Sequence, residues 1–220
     1  MATSRLAIYN GALARIGKRT ITSLTVNEEG RRLLDDVWND GGVQFCLEQG
    51  LWKFAMRTQM LDYDTAITPE FGYRRSFGKA SDWIATAAVC SDEYFTQPLL
   101  RYQDEQRAIF ADLDRIYVRF VSNHNDWGMN LSNWPASFTE YVKTYFASRI
   151  VLKATGDKEL AVAMTKAGGL VDQALLTAKN NDAQLDPPKF PPPSSWINAR
   201  RGATRGSWRD GGERHSLIGQ

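Results

Sequence analysis

The sequence predicts an α+β protein: a helical bundle of about four helices, an inserted and mostly antiparallel β module, and an extended C-terminal arm. Three observations predict this class. Apolar residues recur at intervals of three and four in residues 1–50 and again in 123–186, which is the spacing of amphipathic helices. Apolar and polar residues alternate within 51–122, which is the spacing of strands. Residues 187–220 have too few aliphatic side chains to bury a core.

Two helices are predicted at the start of the chain. Ser4 is expected to cap the first helix and Gly17 to end it. A threonine-rich connector leads to a second helix over about residues 27–49, which Gly41 and Gly42 are expected to kink or interrupt. The residues expected on the buried faces are Leu6, Tyr9, Leu13, Ile16, Leu33, Leu34, Val37, Trp38, Phe45 and Cys46.

The β module begins where the periodicity changes. Trp52, Phe54, Met56 and Met60 alternate with polar or small neighbours, which indicates a strand. The turns between strands are expected at Pro69, Gly78 and Pro98. Further strands are predicted at 73–77, 83–89, 99–102 and 116–121, with Ile116, Val118 and Phe120 on one face of the last and Tyr117 and Arg119 on the other.

Helical spacing returns after a polar loop, 123–133. Pro135 suits the first turn of a helix that Gly156 ends, and Asp157 begins one last long helix. The Gly168-Gly169 pair in this helix allows a close approach by another helix, whether from this chain or from a partner. The apolar stripes of the two helices are Phe138, Tyr141, Val142, Tyr145, Phe146 and Ile150, then Leu160, Met164, Ala167, Leu170, Val171, Ala174 and Leu175.

The arm differs from the rest of the chain in composition and charge. Five of the eight prolines fall at 187–193, which predicts a stiff polyproline spacer. From residue 187 onward there are six Lys or Arg against two Asp or Glu, so the arm carries +4 and the remainder −2 of the net +2. Trp196, Trp208 and five arginines are residue types that anchor interfaces. We therefore expect an arm that is disordered in the free monomer and extended, strand-paired with a partner, in an assembly.

Composition bounds the setting of the protein. A chain of 220 residues with 43% hydrophobic content can bury one core, or one core with an insertion. Cys46 and Cys90 are distant and form no CxxC pair, so they are expected to be reduced, buried thiols. The chain shows no apolar run of membrane-spanning length and no signal-peptide pattern, so we expect a soluble protein made in the cytoplasm.

The sequence contains no motif that commits it to catalysis. Phosphate-loop, dinucleotide-binding, zinc-protease and nucleophile-elbow patterns are missing from the 220 residues. His124 is read as a surface loop residue, and the aromatic Trp38, Trp52, Trp83, Trp127 and Trp134 as core or loop anchors. The acidic pairs that invite comparison with hydrolytic dyads are read as surface or ion-pair residues: Asp35 with Asp36, Asp92 with Glu93, Asp104 with Glu105, and Asp112 with Asp114. We expect no cofactor and no metal.

Several stretches resemble the bacteriophage tail tubular protein A family of head-to-tail adaptors, which are portal-attached connector rings. They are 7–40 (AIYNGALARIG onward), 45–57 (FCLEQGLWKFAMR), 120–150 (FVSNHNDWGMN onward) and 194–220 (SSWINARRG onward). The resemblance spans essentially the whole chain, although its motifs are loose patterns of helical and aromatic residues.

The resemblance implies a virion structural protein at the head-tail junction. Such adaptors form a homo-dodecameric ring under the portal protein, with a helical bundle and a β-rich insertion. The ring extends the channel through which packaged DNA passes and docks the tail, through either a nozzle or a head-closure or tail-tube protein. No enzymatic activity is implied.

The resemblance also implies roles for particular residues. The long helices would supply subunit contacts, which we place at Tyr141, Tyr145 and Arg149. The arm would bind the portal through Trp196, Arg200, Arg201, Arg205, Trp208, Arg209, Leu217 and Ile218.

Three alternatives remain open from the residues. The basic arm suits a nucleic-acid-binding protein, although the remainder of the chain has no strongly basic composition. An enzyme would need a cleft acid such as Glu93 or Asp112. An unrelated scaffold is the third. A further hypothesis is that Gly41-Gly42 and Gly168-Gly169 absorb a helix adjustment during assembly.

Overall fold

The computed structural model describes residues 3–70 and 72–185, and it confirms the predicted α+β class. Helices lie at both ends of this range, and two antiparallel three-stranded sheets lie between them in sequence. Met1–Ala183 makes up one compact unit. The last helix ends one residue beyond this unit, at Gln184, and Leu185 after it is exposed.

The helices carry several of the predicted end signals. Ser4 caps the first by accepting a hydrogen bond from the amide of Ala7 at 3.1 Å, and Gly17 follows it in the left-handed region, at φ 68°. The Asp157 carboxylate caps another by accepting from the amide of Leu160 at 3.0 Å. The helices are α1 (Arg5–Arg15), α2 (Glu29–Asn39), α3 (Gly42–Glu48), α4 (Ala136–Thr155), α5 (Lys158–Thr165) and α6 (Leu170–Gln184).

Glycines divide two of the predicted helices. The helix is interrupted at Gly41, where φ is 83°, so the stretch 27–49 contains α2 and α3 rather than one helix. The break allows a tight turn, because a Cβ on Gly42 would lie 2.6 Å from the Val37 carbonyl oxygen. The prediction of one long helix after Asp157 is wrong, because Gly168 at φ 69° separates α5 from α6.

The strands form two sheets. They are β1 (Met56–Asp62), β2 (Arg75–Gly78), β3 (Trp83–Cys90), β4 (Gln103–Asp104), β5 (Ala108–Ala111) and β6 (Arg115–Ser122). One sheet has the order β1-β6-β3 and the other β2-β5-β4, and the paired strands run antiparallel.

The strand prediction is wrong in several details. Residues 99–102 form no strand, and β5 was missed because Ala108, Ile109 and Ala111 are all buried and show no alternation. The alternation at Trp52 and Phe54 arises from a short 3-10 turn, Lys53–Ala55, in which both rings pack on the helices.

The buried side chains form two clusters. The helical cluster is centred on α4, which packs against α1, α2, α3 and α5. The β cluster lies among the sheets and contains Phe77, Val89 and Ile109. Strand β6 contributes to both, since Ile116, Val118 and Phe120 enter the β cluster, as predicted, and Val121 on the opposite face enters the helical one.

Candidate interaction surface

The predicted interface residues on α4 follow one stripe that runs out of the core. Tyr141, Tyr145 and Arg149 are four residues apart and Leu152 follows by three, so they share one helix face. Tyr141 is only 1% exposed, and its ring centroid lies 6.1 Å from that of Phe138. Its placement at a subunit contact is therefore not supported, because the folded chain leaves it no surface with which to touch a partner.

Tyr145 lies at the point where this stripe reaches the surface. Its ring stacks on that of Phe45 from α3, with centroids 5.0 Å apart and an interplanar angle of 18°. Burial raises the pKa of its hydroxyl, and the nearby Arg149 charge opposes that rise. Phe45 was expected in the core, but it is 43% exposed. The sequence pattern did not show this, since α3 starts anew after Gly41 and its faces do not continue those of α2.

Arg149 and Leu152 extend the stripe beyond the stacked pair. Arg149 is exposed, and Leu152 is 52% exposed although it is apolar. Phe45, Tyr145, Arg149 and Leu152 are called the α3–α4 surface below. Aromatic residues and arginine are the types enriched where proteins bind proteins, and a rigid stacked pair loses little conformational entropy on binding. This surface is chemically suited to contact with another protein.

The eight residues predicted to bind the portal lie outside the described residues. They are Trp196, Arg200, Arg201, Arg205, Trp208, Arg209, Leu217 and Ile218. The structure thus places Tyr145 and Arg149 on the surface, buries Tyr141 and leaves the arm residues as predictions.

Asp35 takes part in a structural network between α1 and α2. One of its carboxylate oxygens accepts from the Tyr9 hydroxyl at 2.8 Å and from Arg5 at 2.7 Å, and the other accepts from Arg31. Arg5 also lies over the Trp38 ring, with its Cζ 4.7 Å from the centroid. Burial and the hydrogen bond to Asp35 raise the pKa of Tyr9. Its neighbour Asp36 is exposed.

The acidic residues of the β module also have local partners. Asp104 pairs with Lys79, Asp114 pairs with Arg75 at 3.0 Å, and the Asp112 carboxylate accepts from the Arg74 amide at 3.0 Å. Asp92 accepts from the Thr96 hydroxyl and from the amides of Thr96 and Gln97, and these bonds lower its pKa. These geometries suit turns and ion pairs.

The two predicted core thiols and the loop histidine fall as expected. Cys46 and Cys90 are buried and free. Burial raises the pKa of both, which keeps them protonated near neutral pH. His124 is in an exposed loop, with its Nδ1 3.3 Å from the Asp126 carboxylate.

An ion pair at the inner end of sheet β1-β6-β3 was missed by sequence reasoning. Asp82 accepts from Arg57 and from the Ser122 hydroxyl, which is fully buried. Burial alone would raise the pKa of Asp82, but the hydrogen bonds from Ser122 and Arg57 outweigh it and lower that pKa. No signal in the sequence links these residues, since they are 25 and 40 positions apart.

Within 3–70 and 72–185, no group of three or more His, Cys, Asp or Glu side chains is placed to hold a metal ion. None of the helices in these ranges is long and apolar enough to cross a membrane. No protein-family model matches the chain, and no curated protein matches its sequence.

Proposed function

We propose that this protein is a structural head-to-tail adaptor of a tailed bacteriophage. It forms a ring of identical subunits beneath the portal protein, extends the channel for DNA and docks the tail. The observation that carries the proposal is the α3–α4 surface, where Arg149 and the exposed Leu152 follow the stacked Phe45–Tyr145 pair along the same face of α4. A ring subunit needs such a patch on each copy for its neighbour.

The architecture supports the same proposal. The resemblance implied helices that carry a β-rich insertion, and the described chain has this order of elements. The β module has a core of its own, so it can present a separate surface to a tail component while the helices contact neighbouring subunits.

A ring lets modest contacts suffice. Each copy meets its neighbours and the portal through a small patch, and the many copies act together through a high effective concentration. The arm, with its tryptophans and arginines, supplies a docking segment that loses conformational entropy only when the portal is present.

The test is the mass of the purified full-length protein, alone and with the candidate portal protein. We expect a monomer that joins the portal in a ring of twelve copies. Substitution of Trp208 and Arg209 by alanine should weaken this binding while leaving the fold of the body unchanged. A protein that never joins a portal ring would contradict the proposal.

The subunit contact has its own test. Leu152→Asp replaces an apolar side chain of the α3–α4 surface with a charge and should reduce ring formation at least tenfold, because the apolar contact is lost and the carboxylate would be desolvated. Leu100→Asp is the matched control, since Leu100 is 90% exposed in the β module, outside this surface. Equal ring formation by both variants would show that the subunit contact does not involve the α3–α4 surface.

A nucleic-acid-binding protein is the second candidate, favoured by the concentration of charge in the arm. It predicts duplex DNA binding whose affinity falls steeply with salt, with a log–log slope that decreases when Arg200 and Arg201 are replaced by glutamine. Salt-sensitive DNA binding in the absence of any portal binding would favour this function over the adaptor.

A further inference from the structure

Among the described residues, no strand pairs with the outer edge of β1 in the sheet β1-β6-β3. The Tyr63 amide donates to the Asp114 carbonyl at 3.2 Å, which continues the β1–β6 ladder and fixes its hydrogen-bonding phase. Odd-numbered β1 residues therefore exchange hydrogen bonds with β6, and the even-numbered residues direct their amides and carbonyls away from it. The Asp64 amide agrees with this phase, since it donates outward to Ser76 at 2.7 Å.

The outward groups of Thr58 and Met60 face solvent. Thr58 is exposed and Met60 is 48% exposed. Within the part of the chain that the structure describes, no hydrogen bond reaches the main chain of either residue from outside the strand pairing. This edge therefore presents unpaired donors and acceptors at Thr58 and Met60, whereas the outward Met56 amide donates to the Lys53 carbonyl.

The opposite edge of the sheet, formed by β3, is protected against pairing with another strand, unlike the edge formed by β1. Strand β3 has two register shifts, and residues 97–99 cover its end, with the Leu99 amide donating to Val89 at 2.9 Å. Strand β1 pairs over seven consecutive positions without a shift and contains neither proline nor lysine, and its two charged residues, Arg57 and Asp62, form ion pairs with Asp82 and Arg115. Folded proteins normally block such an edge with one of these devices, so a regular open edge marks a site for another strand.

We infer that the free edge of β1 binds residues 194–202 of a second copy of this chain as an added strand. The chain continues for 35 residues beyond Leu185, and 194–202 is its first proline-free stretch after the run at 187–193. Proline has no amide to donate, so pairing must begin after that run. Nine residues span about 30 Å, enough to follow all of β1 at about 3.3 Å per residue.

Charge and shape favour a parallel alignment with Trp196 beside Thr58 and Arg200 beside Asp62. The Asp62 side chain is 61% exposed, although it pairs with Arg115 at 2.6 Å, and it has room for a second guanidinium. Trp196 is then a diagonal neighbour of Met60, whose cross-strand neighbour is Tyr117. The segment thus places an aromatic ring near an apolar side chain at one end and a guanidinium beside a carboxylate at the other.

The stiff spacer predicted for 187–193 favours a second copy over the same chain, because it carries the following segment away from its point of departure. The inference goes beyond the adaptor assignment, since it needs only two copies of this protein. It transfers Trp196, Arg200 and Arg201 from the predicted portal contact to self-association and leaves Arg205, Trp208, Arg209, Leu217 and Ile218 for the portal.

Amide hydrogen exchange on the full-length protein tests the site. At low concentration the Thr58 and Met60 amides should exchange like solvent-exposed groups, and in the self-associated state they should slow at least a hundredfold. Met60→Pro removes only an outward amide, so the β1–β6 ladder stays intact and self-association should weaken at least tenfold. Met60→Ala is the control that keeps the amide. Unchanged exchange at both amides in the associated state would overturn the inference.

Cross-linking identifies the strand that occupies the edge, and it does not depend on the fold of the proline variant. Thr58→Cys and Trp196→Cys are placed in separate isotope-labelled copies, and a disulfide between a heavy and a light copy is expected. The native Cys46 and Cys90 are buried and should not compete. A third sample carries both cysteines in one chain. Disulfides that form only within that chain would overturn the assignment to a second copy. So would slower amide exchange at the β1 edge that appears only when a different protein is added.

Discussion

The two carboxylate oxygens of Asp82 lie 2.9 and 3.0 Å from Nη1 of Arg57, on the other side of strand β6. Arg57 is in β1, Asp82 directly precedes β3, and the Ser122 hydroxyl at the end of β6 donates to the same carboxylate. One side chain therefore ties together three strands where the sheet approaches the helical cluster.

Asp82→Ala should lower the free energy of unfolding by about 2 kcal/mol, because it leaves the buried Ser122 hydroxyl without its acceptor and removes the partner of Arg57. Chemical denaturation followed by far-UV circular dichroism measures the change. Asp62→Ala removes an exposed ion pair from the same sheet and should cost under about 1 kcal/mol. Equal losses in the two variants would show that Asp82 is no more than a surface charge.

The lowered pKa of Asp82 also predicts a loss of stability in acid. The pKa of the unfolded carboxyl is near its ordinary value of 3.8 and that of the folded one is lower, so the ion pair stabilises the fold fully above pH 3.8. As the pH falls through the folded pKa, this contribution disappears. The free energy of unfolding, measured at several values between pH 7 and pH 2, should therefore decrease less on acidification for Asp82→Asn than for the wild type. Parallel curves would assign the acid sensitivity to other groups.

Local signals in the sequence predicted the ends of elements well. Ser4 and Gly17 bound α1 as expected, because capping depends on residues only a few positions away. The Gly41-Gly42 pair was expected to kink or interrupt its helix, whereas Gly168-Gly169 was expected to lie within one. The sequence did not reveal that Gly41 and Gly168 adopt left-handed conformations that separate the helices. Whether these breaks adjust during assembly remains a prediction.

Long-range relationships were not accessible in the same way. The resemblance placed a subunit contact at Tyr141, Tyr145 and Arg149, but burial of the first depends on Trp52, which is far away in sequence. The exposed Phe45 and the Asp82 pair likewise depend on how separate elements meet. An apolar stripe indicates a packed face, but it cannot show where the packing partner ends.

Gly128→Ala should destabilise the protein by more than about 2 kcal/mol, since the added Cβ would lie 2.2 Å from the Ser122 carbonyl oxygen and 3.0 Å from Leu47. The Gly128 amide donates to that same carbonyl, and its own carbonyl accepts from the Trp134 indole at 2.8 Å, so the loop cannot move aside cheaply. Gly78→Ala is the matched control, because the nearest atom to its Cβ is a side-chain oxygen 3.8 Å away. Thermal melts should separate the two variants; similar melting temperatures would show that the loop can move aside.

Gln59→Leu should raise the stability of the protein. Gln59 is in β1 opposite Val118, on the face that contributes to the β cluster, and its side-chain oxygen is buried without a hydrogen-bond partner among the described residues. Replacing such an unsatisfied acceptor with an apolar side chain of similar size removes a desolvation cost of about 1 kcal/mol or more. Thr58→Val, one position away on the exposed face, controls for the change in strand propensity and should be close to neutral. A loss of stability in Gln59→Leu, measured by chemical denaturation, would mean that the amide is hydrogen-bonded in solution, most simply through water.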